Sequence, residues 1–241
     1  MRFNNMPVTI VRLFACLICS YVSAGWGGGI GINTTRVVYH QQDKAVQVTL
    51  RNTTENITYL MRASVVDSRG KAVRDFEVVP PLLRVDAGSE GAVRVLFHPL
   101  IPLPTNRESL FYFYALAIPS ANPLTKQGRE MTGQVQMAMG NRIKLFYRPV
   151  GINDPGKNTF GQVTFSRVPG GVRASNPTPY HVNLSSLKVD GRDVAMGRDG
   201  QAVIAPFGGQ VYPVGSREKK TVRWDVINDL GGVDSFTGTI Q

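Results

Sequence analysis

Ser109-Leu-Phe-Tyr-Phe-Tyr-Ala-Leu-Ala-Ile118 decides how this chain is read. Ten residues rich in aromatic and apolar side chains, without Gly or Pro, suit a pleated and heavily buried surface, so a central strand is predicted here. A polar loop follows at 119–132, and then Gln134 to Tyr147 forms the longest strand candidate of the chain. On the N-terminal side, Ala45-Val-Gln-Val-Thr-Leu50 alternates and puts Val46, Val48 and Leu50 on one face. Further strands are predicted at 35–39, 59–66, 76–79 (ended by Pro80-Pro81) and 92–97. That makes seven strands by residue 148, with turn signals at the intervals of a β-sandwich. No segment has a helical period.

Pro149 to Pro155 reads as a linker. Beyond it, strand candidates at 162–168, 172–175, 181–189, 201–204, 210–213, 221–227 and 234–240 are separated by Gly, Pro and Asn-rich turns. The tail after Gly232 leaves room for only a short last strand. The expectation is an all-β protein of two β-sandwich domains, residues 25–149 and 150–241, forming a rod or boomerang with an interdomain cleft.

Residues 1–24 are read as a secretory signal peptide. Arg2 and Arg12 precede an apolar run of about ten residues, too short for a bilayer core of roughly 30 Å, and Val22-Ser23-Ala24 is a small-residue exit. An uncleaved anchor is the alternative. Gly25 to Gly31 reads as a flexible lead-in. Both cysteines, Cys16 and Cys19, fall inside the signal, so the mature domains have neither a disulfide nor a thiolate metal site. Losing Arg2 and Arg12 from 27 basic residues leaves 25 against 17 acidic, a formal +8. The basic residues are dispersed, which disfavours nucleic acid as a partner and suits steering of an acidic protein.

Arg107-Glu-Ser-Leu-Phe-Tyr-Phe113 and Ile143-Lys-Leu-Phe-Tyr-Arg-Pro149 resemble signature segments of the periplasmic chaperones of the chaperone–usher pilus pathway. Asn33 to Tyr39 resembles that family's first strand. Asn176-Pro-Thr-Pro-Tyr180 and Ile227-Asn-Asp-Leu-Gly-Gly232 resemble two segments of its second domain. The resemblance implies two immunoglobulin-like domains in a boomerang and a periplasmic chaperone without catalytic activity, cofactor or metal. Its partners would be pilus subunits and an outer-membrane usher, with self-association through an exposed strand. It also implies donor-strand complementation, in which the chaperone fills a subunit's open groove with one of its own strands. Val135, Met137 and Met139, spaced by two, would be inserted. Packing in the protein's own core is the other reading of these three. Arg36 and Lys144 would bind the subunit's C-terminal carboxylate, and Glu108, Arg148 and Asp229 would form an interdomain salt bridge. The resemblance also places Arg84, within Pro80 to Val85, where the family would meet the usher.

Three rival readings remain at this level. Ser185-Ser-Leu-Lys188 fits S-x-x-K of serine enzymes, but without companion motifs, and His40, His98 and His181 show no triad or metal spacing. A pilus subunit or adhesin would need an N-terminal donor extension, which the Gly-rich 25–34 does not supply. A carbohydrate-binding sandwich would want exposed aromatics, and Trp26 and Trp224 are far apart.

Overall fold

The computed structural model describes residues 29–120, 137–196, 202–215 and 221–241. Nine strands come first: β1 (Ile30–Ile32), β2 (Arg36–His40), β3 (Val46–Asn52), β4 (Tyr59–Val66), β5 (Phe76–Val79), β6 (Leu82–Val85), β7 (Ser89–Phe97), β8 (Ser109–Pro119) and β9 (Met139–Arg148). They form two sheets, β1-β3-β7-β5 and β2-β9-β8-β4-β6. The alternation read from the sequence makes the core between them. Val48 and Leu50 of β3 and Val93 and Val95 of β7 are fully buried, facing Phe113 of β8 and Leu145 of β9. β8 is central, paired to β4 on one side and β9 on the other. Only alternate residues of β8 are buried, so it has a core face and a half-covered outer face.

Two expectations need correction. The Gly-rich lead-in is not structureless throughout, because Ile30–Ile32 pairs antiparallel with β3. The Pro80-Pro81 stop is also a crossover: β5 lies in one sheet, and β6, unforeseen from the sequence, pairs with β4 in the other.

After residue 148 come β10 (Thr164–Val168), β11 (Gly171–Ser175), β12 (Val182–Val189), β13 (Arg192–Asp193), β14 (Val203–Ile204), β15 (Gly209–Pro213), β16 (Thr221–Ile227) and β17 (Val233–Thr239), preceded by a 3-10 turn at Thr159–Gln162. Sheets β10-β11-β15 and β13-β12-β16-β17 enclose a second core around Phe165, Leu187, Tyr212 and Trp224. Trp224 is buried, and its indole N–H donates to the Phe160 carbonyl at 3.1 Å, so it offers no platform for a sugar. β17 is not short: all seven of its residues pair with β16.

The first two strands position the site. β1 belongs to one sheet; the chain then crosses at Asn33 to Thr35, and β2 joins the other sheet, parallel to β9. β2 covers only Lys144 to Arg148, whereas β8 covers Met139 to Tyr147. Among the described residues, Met139 to Ile143 therefore has a neighbour on one side only, with its other backbone edge open. Such an edge is a template for another strand.

Candidate functional site

Pairing in register brings Arg36 of β2 beside Lys144 of β9, where the open edge begins. Alternation turns Val37 and Tyr39 into the core and leaves Arg36 on the opposite face, with Lys144. Arg36 is 7% exposed. One of its terminal N–H groups donates to the Ile227 carbonyl of the second domain at 2.7 Å, and its guanidinium lies 5.8 Å over the Phe146 ring. Its Nε is buried without a hydrogen-bond partner. Lys144 is half-buried. No carboxylate of the described residues forms a salt bridge with either cation. Burial lowers the Lys144 ammonium, and the charges of Arg36 and Arg142 lower it further. Burial also lowers Arg36, partly offset by Asp229 and Glu108. Two desolvated cations side by side disfavour each other, and an arriving anion relieves both.

Behind this pair lies Arg148, 2% exposed at the end of β9. Its Nε and one terminal nitrogen donate to a single oxygen of buried Glu108, at 3.1 and 2.7 Å. The other terminal nitrogen reaches Asp229 at 3.0 Å and Asp154 at 2.5 Å. The structure thus brings Glu108, Arg148 and Asp229 together across the two domains. Asp229 sits in the β16–β17 turn. There Gly231 adopts φ +82° and lies so close to Thr35 that a Cβ would be 2.8 Å from its hydroxyl oxygen. Only a glycine fits that approach.

Three members of this cluster were not foreseen. Asp154, read as linker, also accepts from the His40 ring Nε2 at 2.9 Å. His181 donates its backbone N–H to Glu108 at 2.9 Å, with its ring 3.4 Å from the same carboxylate. Tyr180 donates its hydroxyl to the Asn153 carbonyl. These partners are 73, 114 and 27 positions apart, so no local pattern announced them.

Burial pushes the Glu108 carboxyl up, but the His181 and Arg148 contacts outweigh it and leave Glu108 below the usual carboxylate range. A depressed folded pKa contributes stability above the unfolded value of about 4.3, lost as pH falls through the lower folded value. The melting temperature of the parent is therefore expected to fall more steeply between pH 5 and 3 than that of Glu108→Gln. Equal slopes would remove Glu108 from the acid response.

Of the three side chains expected on the inserting strand, Val135 lies outside the described residues. Met137 and Met139 are 73% and 43% exposed. They share the face of β9 that sends Ile143, Leu145 and Tyr147 into the core. Asn141, between them, donates to the Ile30 carbonyl at 3.0 Å and closes the core at that end. The methionines thus continue the core row beyond the sandwich. Arg84, also exposed, pairs with Asp86 at 2.9 Å on the β6 edge.

Two β-sandwiches are thus joined by a buried ion cluster, with a half-open strand beside two cations that form no salt bridge among the described residues. Residues 29–153 match the N-terminal domain of PapD, the pili and flagellar-assembly chaperone, and residues 158–237 match the C-terminal domain of the pili assembly chaperone PapD. The chain is 31% identical over 226 residues to the probable fimbrial chaperone protein ElfD of Escherichia coli O157:H7, covering 93% of this chain and 92% of that one. Its structure resembles that of the E. coli chaperone DraB, with TM-score 0.75 and 29% identity over 89% of this chain and 97% of DraB. It also resembles the periplasmic chaperone SfaE, with TM-score 0.71 and 26% identity over 88% of this chain and 100% of SfaE. This protein belongs to the pilus-assembly chaperone family of the chaperone–usher pathway.

Proposed function

We propose that this protein is a periplasmic, non-catalytic chaperone that holds pilus subunits by donor-strand complementation and delivers them to an outer-membrane usher. In this reading residues 1–24 are a cleaved signal, and the two sandwiches, divided near residue 149, carry the binding site at their junction. The observation that carries it is that, among the described residues, the backbone edge of Met139 to Ile143 is open and ends at two cations without a carboxylate partner. A chain pairing along that edge with its C-terminal carboxylate on Arg36 and Lys144 satisfies both features. Charge-assisted bonds to such a carboxylate contribute about 1.5–3 kcal/mol each. Val135, Met137 and Met139 would fill the partner's groove, and unbranched thioethers adapt to differently shaped pockets.

The groups weighed above as those of an enzyme are otherwise engaged. The Ser185 hydroxyl donates to the Asp225 carbonyl at 3.3 Å, and Lys188 pairs with Asp193 at 3.4 Å. His40 and His181 are bonded to carboxylates of the junction.

Affinity purification from periplasm followed by mass spectrometry is expected to recover a small β-sandwich subunit lacking its last strand. Met137→Glu and Met139→Glu should each recover several-fold less, since a buried charge replaces about 1.5–3 kcal/mol of apolar burial. Undiminished recovery with both glutamates present would return the methionines to a role within this protein alone.

A further inference from the structure

The two cations have a third beside them. Arg142 lies two residues before Lys144 on the same outward face of β9, level with the edge that β2 leaves bare. Its guanidinium is held 4.7 Å above the Tyr112 ring. Tyr112 is in turn the cross-strand neighbour of Lys144. Stacking on a ring face orients a guanidinium while leaving its in-plane donors free. Arg142 is exposed, and no carboxylate of the described residues forms a salt bridge with it. Three positive charges thus line one face beside the open edge, and none of them forms a salt bridge among the described residues.

Direction follows from the position of the cations. A chain ending at Arg36 and pairing along Met139 to Ile143 must run parallel to β9, in line with β2, which begins where that chain stops. The opposite direction would carry its free carboxylate to Met139, away from both cations. In a parallel arrangement neighbouring side chains share faces, and residues two apart are separated by about 7 Å. Arg142 therefore stands one pleat repeat upstream of the anchored carboxylate.

We infer that Arg142 is a specificity residue that recognises an acidic side chain near the C-terminus of the bound chain, one pleat repeat ahead of its terminal carboxylate. This rests on the carboxylate grip of Arg36 and Lys144. It adds a side-chain preference to a contact that otherwise reads only a chain end.

The test uses a fluorescein-labelled peptide of alternating valine and serine, long enough to cover the open edge, measured by fluorescence polarisation against the full mature chain. Glutamate is scanned through its last four positions. One position is expected to tighten binding about three- to five-fold at low salt, an effect screened at high salt. Arg142→Gln should abolish that gain while leaving the affinity of the uncharged peptide unchanged. Arg142→Glu should transfer the preference to a lysine at the same position. A flat scan, or a gain that survives Arg142→Gln, overturns the inference. Amidating the peptide's C-terminus separates the two levels. If amidation weakens binding but the scan is flat, the carboxylate grip stands and the role of Arg142 falls. If amidation has no effect, the grip itself fails. The exposure of Arg142 makes parent-like melting of both variants the expected control.

Discussion

Arg148→Ala is expected to melt about 10 °C below the parent. Arg148 and Glu108 are 2% and 4% exposed, so the pair is removed from water. Burial acts first to weaken the Arg148 charge, and Asp229 and Glu108 reverse this, holding the guanidinium well above its ordinary value. Taking the arginine away leaves the Glu108 carboxylate buried without its fork of donors, which costs about 3–5 kcal/mol in comparable pairs. For a chain of this size each kcal/mol shifts the midpoint by roughly 2–4 °C. Because Asp229 and Asp154 also lose their shared partner, the domains should separate in angle, and small-angle scattering should show a broader distribution of shapes. The double replacement Glu108→Leu with Arg148→Met separates two causes. It removes the stranded charge, so melting should recover in part, whereas the broadened scattering should persist. Parent-like melting of Arg148→Ala would mean that the cluster holds no net stability.

Lys144→Ala is expected to behave in the opposite way: intact fold, lost capture. Lys144 is half-buried beside Arg36 and forms no salt bridge among the described residues, so removing it relieves a repulsion. Its melting temperature should equal or slightly exceed that of the parent. Capture of a subunit or of a strand peptide with a free carboxylate should weaken by roughly one to two orders of magnitude, matching the loss of a charge-assisted bond of about 1.5–3 kcal/mol. Lys144→Arg should restore part of the binding. Arg36→Ala is a less selective test, because Arg36 also donates to the Ile227 carbonyl across the domains. Wild-type capture by folded Lys144→Ala would dissociate the lysine from any ligand role.

Alternation carried most of the fold into view. Tyr59–Val66, Phe76–Val79 and Thr221–Ile227 begin and end where composition and turn residues place them. β1 escaped because glycines surround its two isoleucines, and its pairing with β3 comes from a partner rather than from propensity. β6 escaped because Pro80-Pro81 reads as an end, although the chain only changes sheets there. At the site, Arg36 and Lys144 were named through resemblance, since a lone cation on a strand carries no signal of its own. The contacts of Asp154 and His181 depend on the closing of the two domains on each other, which no window of sequence contains. Arg142 lay in plain sight next to Lys144, and its stack on Tyr112 needed the β8–β9 register to appear.

The crossing of the chain at Asn33 to Thr35 also works as a ruler. Where the first strand departs from one sheet and enters the other sets how many rungs of β9 stay vacant, here five, from Met139 to Ile143. Moving that crossing by two residues would lengthen or shorten the berth by one pleat and would carry Arg36, which follows it directly, to a different rung of β9. The entry point of β2 therefore fixes together the length of the berth and the rung at which its cationic end sits.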